Sequence, residues 1–386
     1  MKICLDTRNT GRSGGTGIAT YTRNVAAASL RAGHEVAWLE DGEDNLASPH
    51  SPGAKLQRQL RALSASRLAR IQGARTHESS WLCPDLYRVA HVRFRQTGRL
   101  TRIRSVEKPD LVHWTTPLPL EWSETPGVVT IHDLIPILHP ELTGIAPIHF
   151  GRMLRQCCAK ARLIITVSEA VRRDVLAFDD LPPEKVVTLH QPVDLSAYPV
   201  EKVQAAPALV EPGGFVFFGA LERRKNLVRL VRAWAASDTG RPLTLIGQPG
   251  LGADALFAEL DRLGEKRDRI RIVPWSGRDS LLRTIGEARA VVFPSLAEGF
   301  GLPIIEAMAL GTPVLTSIGH ATEEIAGGSA LLVDPHSTDS IQAGLEALAE
   351  DDALCGKLTQ NGLVRADAFS PGRFSAGLDA AYKLAL

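Results

Sequence analysis

The stretch Ala290-Val-Val-Phe-Pro-Ser-Leu-Ala-Glu-Gly-Phe-Gly-Leu-Pro-Ile-Ile-Glu-Ala-Met-Ala-Leu-Gly311 decides the fold of the chain. It opens on four apolar residues, Ala290 to Phe293, which have the length and type of a buried parallel strand. A glycine-rich turn follows, and then a helix predicted from about Leu302 to Leu310, with Pro303 in its first turn and Gly311 at its end. A strand, a glycine loop and a helix N-terminus in this order predict an α/β fold with a phosphate site.

Two carboxylates flank this predicted phosphate site, Glu298 in the loop and Glu306 one turn into the helix. A carboxylate beside a bound phosphate repels it unless the acid binds another part of the same ligand. A ribose or a sugar hydroxyl is the natural partner for such an acid. The stretch therefore favours a ligand that carries both phosphate and sugar.

The alternation of strands and helices repeats along the chain, and 386 residues are too many for one ordinary core. In the first half, strands are predicted at 2–6, 35–39, 109–114, 128–131, 163–167 and 186–189. In the second half, they are predicted at 215–218, 243–246, 270–273, 290–293, 314–316 and 330–333. A segment rich in proline and alanine, 196–213, is predicted to be a linker. The pattern predicts two doubly wound domains, 1–195 and 214–365, that face each other across a cleft.

The composition excludes several classes of protein. A net charge of +1 does not suit a nucleic-acid-binding protein. The five cysteines form no C-x-x-C pair, which predicts reduced, buried thiols rather than disulfides or a cysteine metal site. The chain begins on a strand rather than a signal peptide, and no apolar run reaches the about 20 residues of a membrane-spanning helix. We therefore expect a cytoplasmic protein, free or peripheral on the inner face of the membrane.

One segment is strongly basic. Residues 51–108 carry 13 Lys and Arg against three acids, and Leu56–Ile71 is predicted to be helical. This basic surface is interpreted in two ways, as a solvated helical face or as a surface that contacts anionic lipid or a phosphate-bearing acceptor. The sequence leaves both interpretations open.

A second glycine loop, with Gly15 and Gly17, joins the first strand to the first helix. It resembles the dinucleotide fingerprint G-x-G-x-x-G, but Thr20 replaces the third glycine and a polar loop separates it from Asp6. The loop is interpreted either as part of a phosphate or substrate site or as a flexible cover over a cleft. A true fingerprint would indicate a NAD-dependent oxidoreductase.

Polar residues also follow the strand predicted at 128–131. His132 and Asp133 lie there, at the edge where open α/β sheets bind ligands. The next predicted helix carries Arg152 and Arg155, which are candidates for acceptor binding.

In the second half, Gly219 ends the first predicted strand, and Arg223, Arg224 and Lys225 follow it. The carboxyl ends of parallel strands meet at one sheet edge, so these cations are expected near the loop that carries Glu298. Together with free N–H groups at the helix start they would clamp a diphosphate.

The block Glu298-Gly-Phe-Gly-Leu-Pro-Ile-Ile-Glu306 resembles the E-x7-E motif of the retaining glycosyltransferases of family 4, which have the GT-B fold. Supporting motifs cover most of the chain: Gly14–Gly17, His132-Asp133, Thr166-Val-Ser168, Val193-Asp194, Arg224-Lys225-Asn226 and Ala330–Pro335. Two positions depart from the family pattern. Ala220 stands where many relatives carry Arg, and Gln191-Pro192 stands where they often carry Asn-Gly.

The resemblance implies a role for each site residue. Glu306 would bind the ribose of a nucleotide sugar, and Glu298 would hold a hydroxyl of the donor sugar. The catalytic group would consist of Glu298, His132, Arg224 and Lys225, with Asp133 beside them on the acceptor side. The rest of the donor site would be formed by Gly15, Gly17, Gly219, Val273, Trp275, Gly299, Phe300, Gly301 and Leu302. Among these, Val273 and Trp275 would lie near the nucleobase.

The reaction implied is transfer of a sugar, with retention, from a nucleoside diphosphate sugar to a hydroxyl of a lipid-linked or polysaccharide acceptor in surface glycan synthesis. No metal and no cofactor besides the donor is expected. The pattern Leu221-Glu-x-Arg-Lys-Asn226 resembles that of a subgroup with many mannosyltransferases of surface polysaccharide assembly, which favours GDP-mannose and leaves UDP-sugars open. The first half would bind the acceptor, and a final helix, 366–386, would cross back onto it. A GT-B sugar-nucleotide 2-epimerase and a non-catalytic GT-B binding protein are the alternatives.

Overall fold

The computed structural model describes residues 1–10, 17–41, 59–72 and 80–386. The strands within these ranges are β1 (Lys2–Asp6), β2 (Glu35–Glu40), β3 (Ser66–Leu68), β4 (Arg70–Gln72), β5 (Ser80–Leu82), β6 (Thr101–Arg104), β7 (Leu111–Trp114), β8 (Leu120–Trp122), β9 (Gly127–Ile131), β10 (Leu163–Thr166), β11 (Val186–Thr188), β12 (Phe215–Phe218), β13 (Leu243–Ile246), β14 (Ile270–Val273), β15 (Ala290–Phe293), β16 (Val314–Ser317) and β17 (Leu331–Val333). The described α-helices are α1 (Gly17–Arg31), α2 (Leu86–Thr97), α3 (Ile135–Leu138), α4 (Pro147–Lys160), α5 (Glu169–Phe178), α6 (Val200–Ala205), α7 (Leu227–Ala236), α8 (Ala253–Asp261), α9 (Arg278–Gly286), α10 (Leu302–Ala309), α11 (His320–Ala326), α12 (Thr338–Glu350), α13 (Asp352–Asp367) and α14 (Pro371–Ala385).

The first half builds a sheet of order β11-β10-β9-β7-β1-β2-β5-β4, parallel except for the pair β4–β5. Strands β7 and β10 are buried along their whole length, as expected of parallel strands covered by helices on both faces. The strand order reverses between β1 and β7. Their carboxyl ends therefore flank a crevice, which is where doubly wound sheets place their ligands.

The second half builds a fully parallel sheet of order β14-β13-β12-β15-β16-β17. The stretch 290–311 forms β15 and α10, as predicted, and β15 pairs with β12 and β16. The order reverses between β12 and β15, so the loops after these two strands share the crevice of this sheet. Two Rossmann-like halves confirm the predicted GT-B fold.

The helix predicted at Leu56–Ile71 is wrong over most of its described part. Residues 59–61 are helical, but Ser66–Leu68 and Arg70–Gln72 are strands. β3 pairs with β6, and β6 pairs with β8 in a small three-stranded sheet, while β4 joins the edge of the large one. Pairing with distant strands overrides the local preference of such short segments.

The segments around the second domain also contain structure that the sequence did not predict. The linker 196–213 includes α6, which the Arg283 side chain of α9 fixes by hydrogen bonds to the carbonyls of Gln204 and Ala206 (2.9 and 2.7 Å). The helical tail breaks at Ser370, as expected, but also at Asp351, whose side chain caps α13. The predicted domain bounds themselves stay a prediction.

The last helix, α14, packs against α1 of the first half. The Tyr382 hydroxyl lies 2.8 Å from Nδ1 of the buried His113, and the Ser375 hydroxyl donates to the carbonyl of Ala28. Through these contacts α14 is fixed to β7 and to α1 of the first half.

Candidate active site

The loop after β12 is held close to the end of β15. Gly219 has φ 140°, and a Cβ at the neighbouring Gly247 would lie 1.9 Å from the Gly219 carbonyl oxygen, so two backbones approach here with no room for a side chain. The chain then forms a single 3₁₀ turn, Arg223–Lys225. Asn226 follows with φ 62°, and its amide donates to the carbonyls of Pro294 and Pro335 (3.0 and 2.7 Å). The third residue of the Arg-Lys-Asn motif is therefore structural.

Arg224 and Lys225 form an ion cluster with Glu298. Nζ of Lys225 lies 2.5 Å from one carboxylate oxygen, and Nη1 of Arg224 lies 2.8 Å from the other. Lys225 and Glu298 are both nearly buried, and the Lys225 ammonium also lies 4.5 Å from the centre of the Phe293 ring. Glu222 holds the other side of Arg224 at 2.8 Å. The predicted cations and the predicted acid thus meet at one point.

The electrostatics of this ion cluster follow from its composition. Burial acts to raise the pKa of the Glu298 carboxyl, but Arg224 and Lys225 outweigh it and hold that pKa below its usual value. Asp133, from the first half, faces the same cations. Burial raises the pKa of Asp133, Arg224 opposes the rise, and Glu298 adds to it. The site is therefore a network of alternating charges rather than an isolated positive patch.

Glu306 is also paired. Its carboxylate oxygen lies 2.5 Å from Nη2 of Arg278, the first residue of α9, and Arg278 lies over the ring of Tyr198. The first side chain of α9 thus contacts the second acid of the E-x7-E motif. Arg278 was not among the predicted site residues.

The loop between β15 and α10 presents backbone donors to the crevice. Gly301 caps α10 with φ 104°, and the first N–H groups of an α-helix have no acceptor within the helix. The Phe300 side chain instead packs away among His190 and Phe369, with ring centres 6.2 and 5.8 Å distant. The side chain anchors the loop while the backbone stays available.

His132 lies on the first half of the crevice. Its Nε2 is 2.8 Å from the carbonyl oxygen of Thr115, and because a carbonyl only accepts, Nε2 carries the ring proton and Nδ1 is left as an acceptor. Burial lowers the pKa of His132 to about 4, so the ring is neutral at pH 7. Tyr21 packs against it edge to face at 4.8 Å.

The buried Asp6 fixes the backbone that orients His132. Its carboxylate accepts from the N–H of Thr115 at 2.6 Å and from the Thr115 hydroxyl at 2.9 Å. Burial raises the pKa of Asp6 to about 6. Asp6 ends β1 and Thr115 directly follows β7, and the sheet order reverses between these two strands.

The two halves touch at Gly299. A Cβ on Gly299 would lie 1.8 Å from the carbonyl oxygen of His132. The Gly299 carbonyl accepts a hydrogen bond of 2.8 Å from the hydroxyl of Ser168, which also caps α5, as predicted. The loop that carries Glu298 is therefore clamped between two strand ends of the first half.

A second contact joins the halves through α11. The Glu324 carboxylate accepts from the N–H groups of Glu169 and Ala170 at the start of α5 (2.8 and 2.7 Å) and lies 2.8 Å from His190 Nε2. An acid is stabilised at a helix N-terminus. Burial acts to raise the pKa of Glu324, but the hydrogen bonds from His190 and from these two N–H groups hold it below its usual value.

His320 bridges the halves next to Glu298. Its Nε2 lies 2.7 Å from Asp174 of α5 and its Nδ1 lies 3.2 Å from the carbonyl oxygen of Glu298. Both ring nitrogens face acceptors, so the imidazolium satisfies both. The hydrogen bond to Asp174 is the main reason why the pKa of His320 is raised.

We expect the contact through His320 to weaken as the pH rises. A histidine whose pKa is raised in the folded state adds to the free energy of unfolding. This contribution is complete below the unfolded-state pKa of about 6.5 and is lost as the pH rises through the folded-state pKa. His320→Gln should therefore lower the thermal midpoint at acidic pH and have little effect at alkaline pH. Thermal unfolding from about pH 5 to 9 measures this, with the exposed His139→Gln as the control. Parallel curves for wild type and His320→Gln would contradict the prediction.

The remaining predicted residues lie apart from the ion cluster or outside the described ranges. Gly15 falls outside the described residues, whereas Gly17 begins α1. Val273 ends β14, and Trp275 beyond it is 41% exposed.

Both predicted acceptor arginines lie on α4. Arg152 packs against Gly98, and Arg155 stacks on Phe178 at 4.5 Å and faces Asp179 at 4.0 Å. Their contacts are with α2 and α5, not with the Glu298 ion cluster, so acceptor binding by these arginines stays a prediction.

Several residues of the site were not predicted from the sequence: Asp6, Thr115, Arg278, His190, His320 and Glu324. Asp6 carried a usable signal, because it is the last residue of a predicted strand at the ligand edge. His320 and Glu324 carried none, because their ion-pair partners, Asp174 and His190, belong to the other half of the chain.

Two family profiles match the chain, one on each half. "Glycosyltransferase Family 4" matches residues 15–197, and "Glycosyl transferases group 1" matches residues 201–365. The chain is 30% identical over 268 residues to the O-antigen chain mannosyltransferase B of Escherichia coli, covering 67% of this chain and 70% of that protein. It is 30% identical over 328 residues to the D-inositol 3-phosphate glycosyltransferase of Nocardia farcinica, covering 78% and 68%. It is also 25% identical over 273 residues to the serotype-specific mannosyltransferase WbdA of Escherichia coli, and this match covers 67% of this chain and 33% of that protein.

Solved structures share the fold at low sequence identity. The sucrose-phosphate synthase of Thermosynechococcus elongatus superposes with a TM-score of 0.72 at 19% identity, over 99% of this chain and 98% of that one. The HepE protein of Anabaena, in complex with UDP and glucose, superposes with a TM-score of 0.69 at 18% identity, over 99% of both chains.

Proposed function

The chain belongs to glycosyltransferase family 4, and we propose that it transfers mannose, with retention, from GDP-mannose to a hydroxyl of a lipid-linked or polysaccharide acceptor. The observation that carries the proposal is the ion cluster of Glu298, Arg224 and Lys225 at the switch point of the second sheet, opposite His132. The likeness to mannosyltransferases supports mannose as the transferred sugar.

The hard step is departure of the diphosphate, which gains negative charge as the glycosidic bond breaks. Arg224 and Lys225 carry more N–H donors than Glu298 uses, so each can hold the carboxylate on one side and a phosphate oxygen on the other. The N–H groups at the start of α10 add to this stabilisation. Preorganised donors of this kind commonly contribute about 100- to 1,000-fold in rate.

Glu298 would serve the sugar as well as the cations. A carboxylate has about four lone-pair positions, and the two cations occupy one on each oxygen. The remaining positions can accept from hydroxyls of the donor sugar. Glu306 would hold the ribose, with Arg278 fixing its carboxylate, and His132 would present a neutral ring beside the transferred sugar. In a front-face reaction the departing phosphate takes the proton of the acceptor hydroxyl.

A panel of nucleotide sugars tests the proposal. GDP-mannose should raise the thermal midpoint more than GDP-glucose or UDP-glucose, because a ligand at 100 times its Kd adds about 2.7 kcal/mol to stability. The shift should disappear in Glu306→Ala. With an acceptor glycan, the products should be GDP and a glycan longer by one mannose with the anomeric configuration kept. An isomerised nucleotide sugar would instead identify an epimerase, and no stabilisation by any donor would overturn the proposal.

We expect transfer to continue in EDTA. Arg224, Lys225 and the start of α10 supply the positive charge that a divalent ion would otherwise provide. Within the described ranges, no group of three or more His, Cys, Asp and Glu is arranged to hold a metal. Initial rates in EDTA should match those in EDTA saturated with Mg²⁺. Loss of activity in EDTA that added Mg²⁺ or Mn²⁺ restores would refute metal-independent transfer.

The enzyme would work in the cytoplasm, at the inner face of the plasma membrane. Three apolar side chains of the basic segment, Leu60, Leu63 and Leu68, are more than half exposed, and Arg70 beside them is exposed. Exposed apolar side chains among cations are typical of surfaces that contact anionic lipid. Within the part of the chain that the structure describes, no helix is both long and apolar enough to cross a bilayer.

Neutralising the basic surface should weaken binding to anionic vesicles. The test variant changes three exposed arginines of this segment to Gln: Arg88, Arg95 and Arg99. At about 1 kcal/mol per cation, the loss should be somewhat more than about 100-fold in partition coefficient. The control changes three exposed cations outside the basic segment: Lys266, Lys357 and Arg373. Vesicle sedimentation measures both, and equal binding of the two variants would favour a merely solvated face.

A further inference from the structure

A cavity of about 750 Å³ lies in the first half, between the three-stranded sheet and the large sheet. All of its lining residues fall between Arg102 and Ala161. Its volume is within the range of about 300–1,000 Å³ that is usual for small-molecule sites.

The cavity is separate from the Glu298 ion cluster. Gly127, the first residue of β9, lines the cavity, whereas His132 follows the last residue of the same strand. Five residues of strand at about 3.3 Å each place roughly 16 Å between them. The lining also reaches Val129 and Trp114, the last residue of β7, so the cavity lies against one face of the large sheet, and no residue of the ion cluster lines it.

The inner wall is apolar and contains unsatisfied polar groups. Trp114, Trp122 and Leu120 are each more than 90% buried. The indole N–H of Trp122 and the hydroxyl of Thr125, both on this wall, are buried with no hydrogen-bond partner among the described residues. A buried donor left unpaired costs about 1–3 kcal/mol. The oxygen atoms of a ligand would satisfy these groups, and the apolar wall suits a ligand that also has an apolar face, such as a sugar ring.

The mouth of the cavity is positively charged. Four cations, Arg102, Arg104, Lys108 and Lys160, stand against two acids, Glu121 and Glu124. Glu121 pairs with Arg102 at 2.6 Å and with Lys160 at 3.3 Å, and Glu124 pairs with Lys108. Within the described residues the Arg104 side chain forms no hydrogen bond or close ion pair, although it lies near Glu124. A guanidinium group whose N–H donors have no partner can bind a phosphate with two parallel hydrogen bonds.

We propose that this cavity is a second ligand site that binds a sugar phosphate, with the sugar ring beside Trp122 and Thr125 and the phosphate on Arg104. A free sugar phosphate and the sugar phosphate of a lipid-linked glycan share this chemistry. The site is independent of the proposed donor site, and it gives the basic segment of the first half a specific role.

The indole N–H of Trp122 reports on the site directly. In ¹H–¹⁵N spectra of the full chain, its resonance is assigned by its disappearance in Trp122→Phe. Titration with mannose 1-phosphate should shift this resonance to saturation, and GDP should leave it in place. Arg104→Gln should weaken the apparent affinity at least about tenfold, because a hydrogen bond to a charged group is worth about 1.5–3 kcal/mol. Arg99→Gln, outside the cavity, should not.

The competing outcomes separate the source and the class of the ligand. A higher KM for the acceptor in Arg104→Gln, with the KM for the donor unchanged, would identify the glycan as the source, whereas an unchanged acceptor KM would identify a free sugar phosphate. Inorganic phosphate that shifts Trp122 as strongly as mannose 1-phosphate would overturn the sugar-phosphate site. The proposal would also be overturned if mannose without phosphate shifted the Trp122 resonance as strongly, or if millimolar mannose 1-phosphate did not shift it.

Discussion

Lys225→Ala should lower kcat for sugar transfer by about 100- to 1,000-fold, the usual cost of removing one preorganised donor from a site where charge develops. Lys225 is 6% exposed and its ammonium lies 2.5 Å from Glu298, so no water or neighbouring cation replaces it without rearrangement. The KM for the donor should change less than kcat, because the phosphate charge that Lys225 meets is largest in the transition state. Steady-state rates with GDP-mannose measure both quantities.

Loss of stability has to be separated from loss of catalysis in this variant. Removing one partner of a buried ion pair commonly costs about 3–5 kcal/mol, because the other charge is left behind. In Lys225→Ala the Glu298 carboxylate keeps its contact with Arg224 but loses half of its compensation. The double variant Lys225→Ala with Glu298→Ala removes this carboxylate, so it should unfold at a higher temperature than Lys225→Ala, and it should be inactive because Glu298 is also proposed to hold the donor sugar. Arg223→Ala, the adjacent exposed cation, is the matched control and should keep nearly full activity. A folded Lys225→Ala variant that kept nearly full kcat would assign Lys225 a purely structural role.

The strands and helices of the second sheet could be predicted because the residues that specify each of them lie next to one another in the sequence. Four apolar residues, a glycine turn and Pro303 specify β15, the loop and the start of α10 without help from the rest of the chain. The rule that parallel strands end at one edge then brings Lys225 to Glu298 across 73 positions of sequence. The rule predicts proximity but not pairing, because the choice of partner depends on side-chain geometry within a few ångströms.

The parts that were missed depend on distant partners. β3 and β8 are three residues long, too short for a periodic signal, and each exists by pairing with β6. Arg278 meets Glu306 from a different helix, 28 positions away. The contacts of His320 and Glu324 depend on how the two halves are placed, which no pattern within either half encodes.

Gly299→Ala should nearly abolish transfer while each half of the chain stays folded. The added Cβ would lie 1.8 Å from the His132 carbonyl oxygen, whereas such contacts below 3.0 Å are essentially never seen. The obstacle is backbone from the other half, so no side-chain rotation relieves it. The loop that carries Glu298 must move by an ångström or more, and a misplacement of about 1 Å can cost about 100-fold in rate.

The clash lies between the two halves, so the measurements must distinguish the folding of each half from the distance between them. Gly299 does not have the positive φ that disfavours a side chain, and the three atoms nearest to the added Cβ all belong to the first half. Circular dichroism should therefore be unchanged, while small-angle scattering should show a larger radius of gyration as the cleft opens. Gly286→Ala, whose Cβ meets nothing within 4 Å, is the matched control and should resemble wild type. Full activity of Gly299→Ala would mean that the two halves need not close on this loop for transfer, and His132 would then have no place in the reaction.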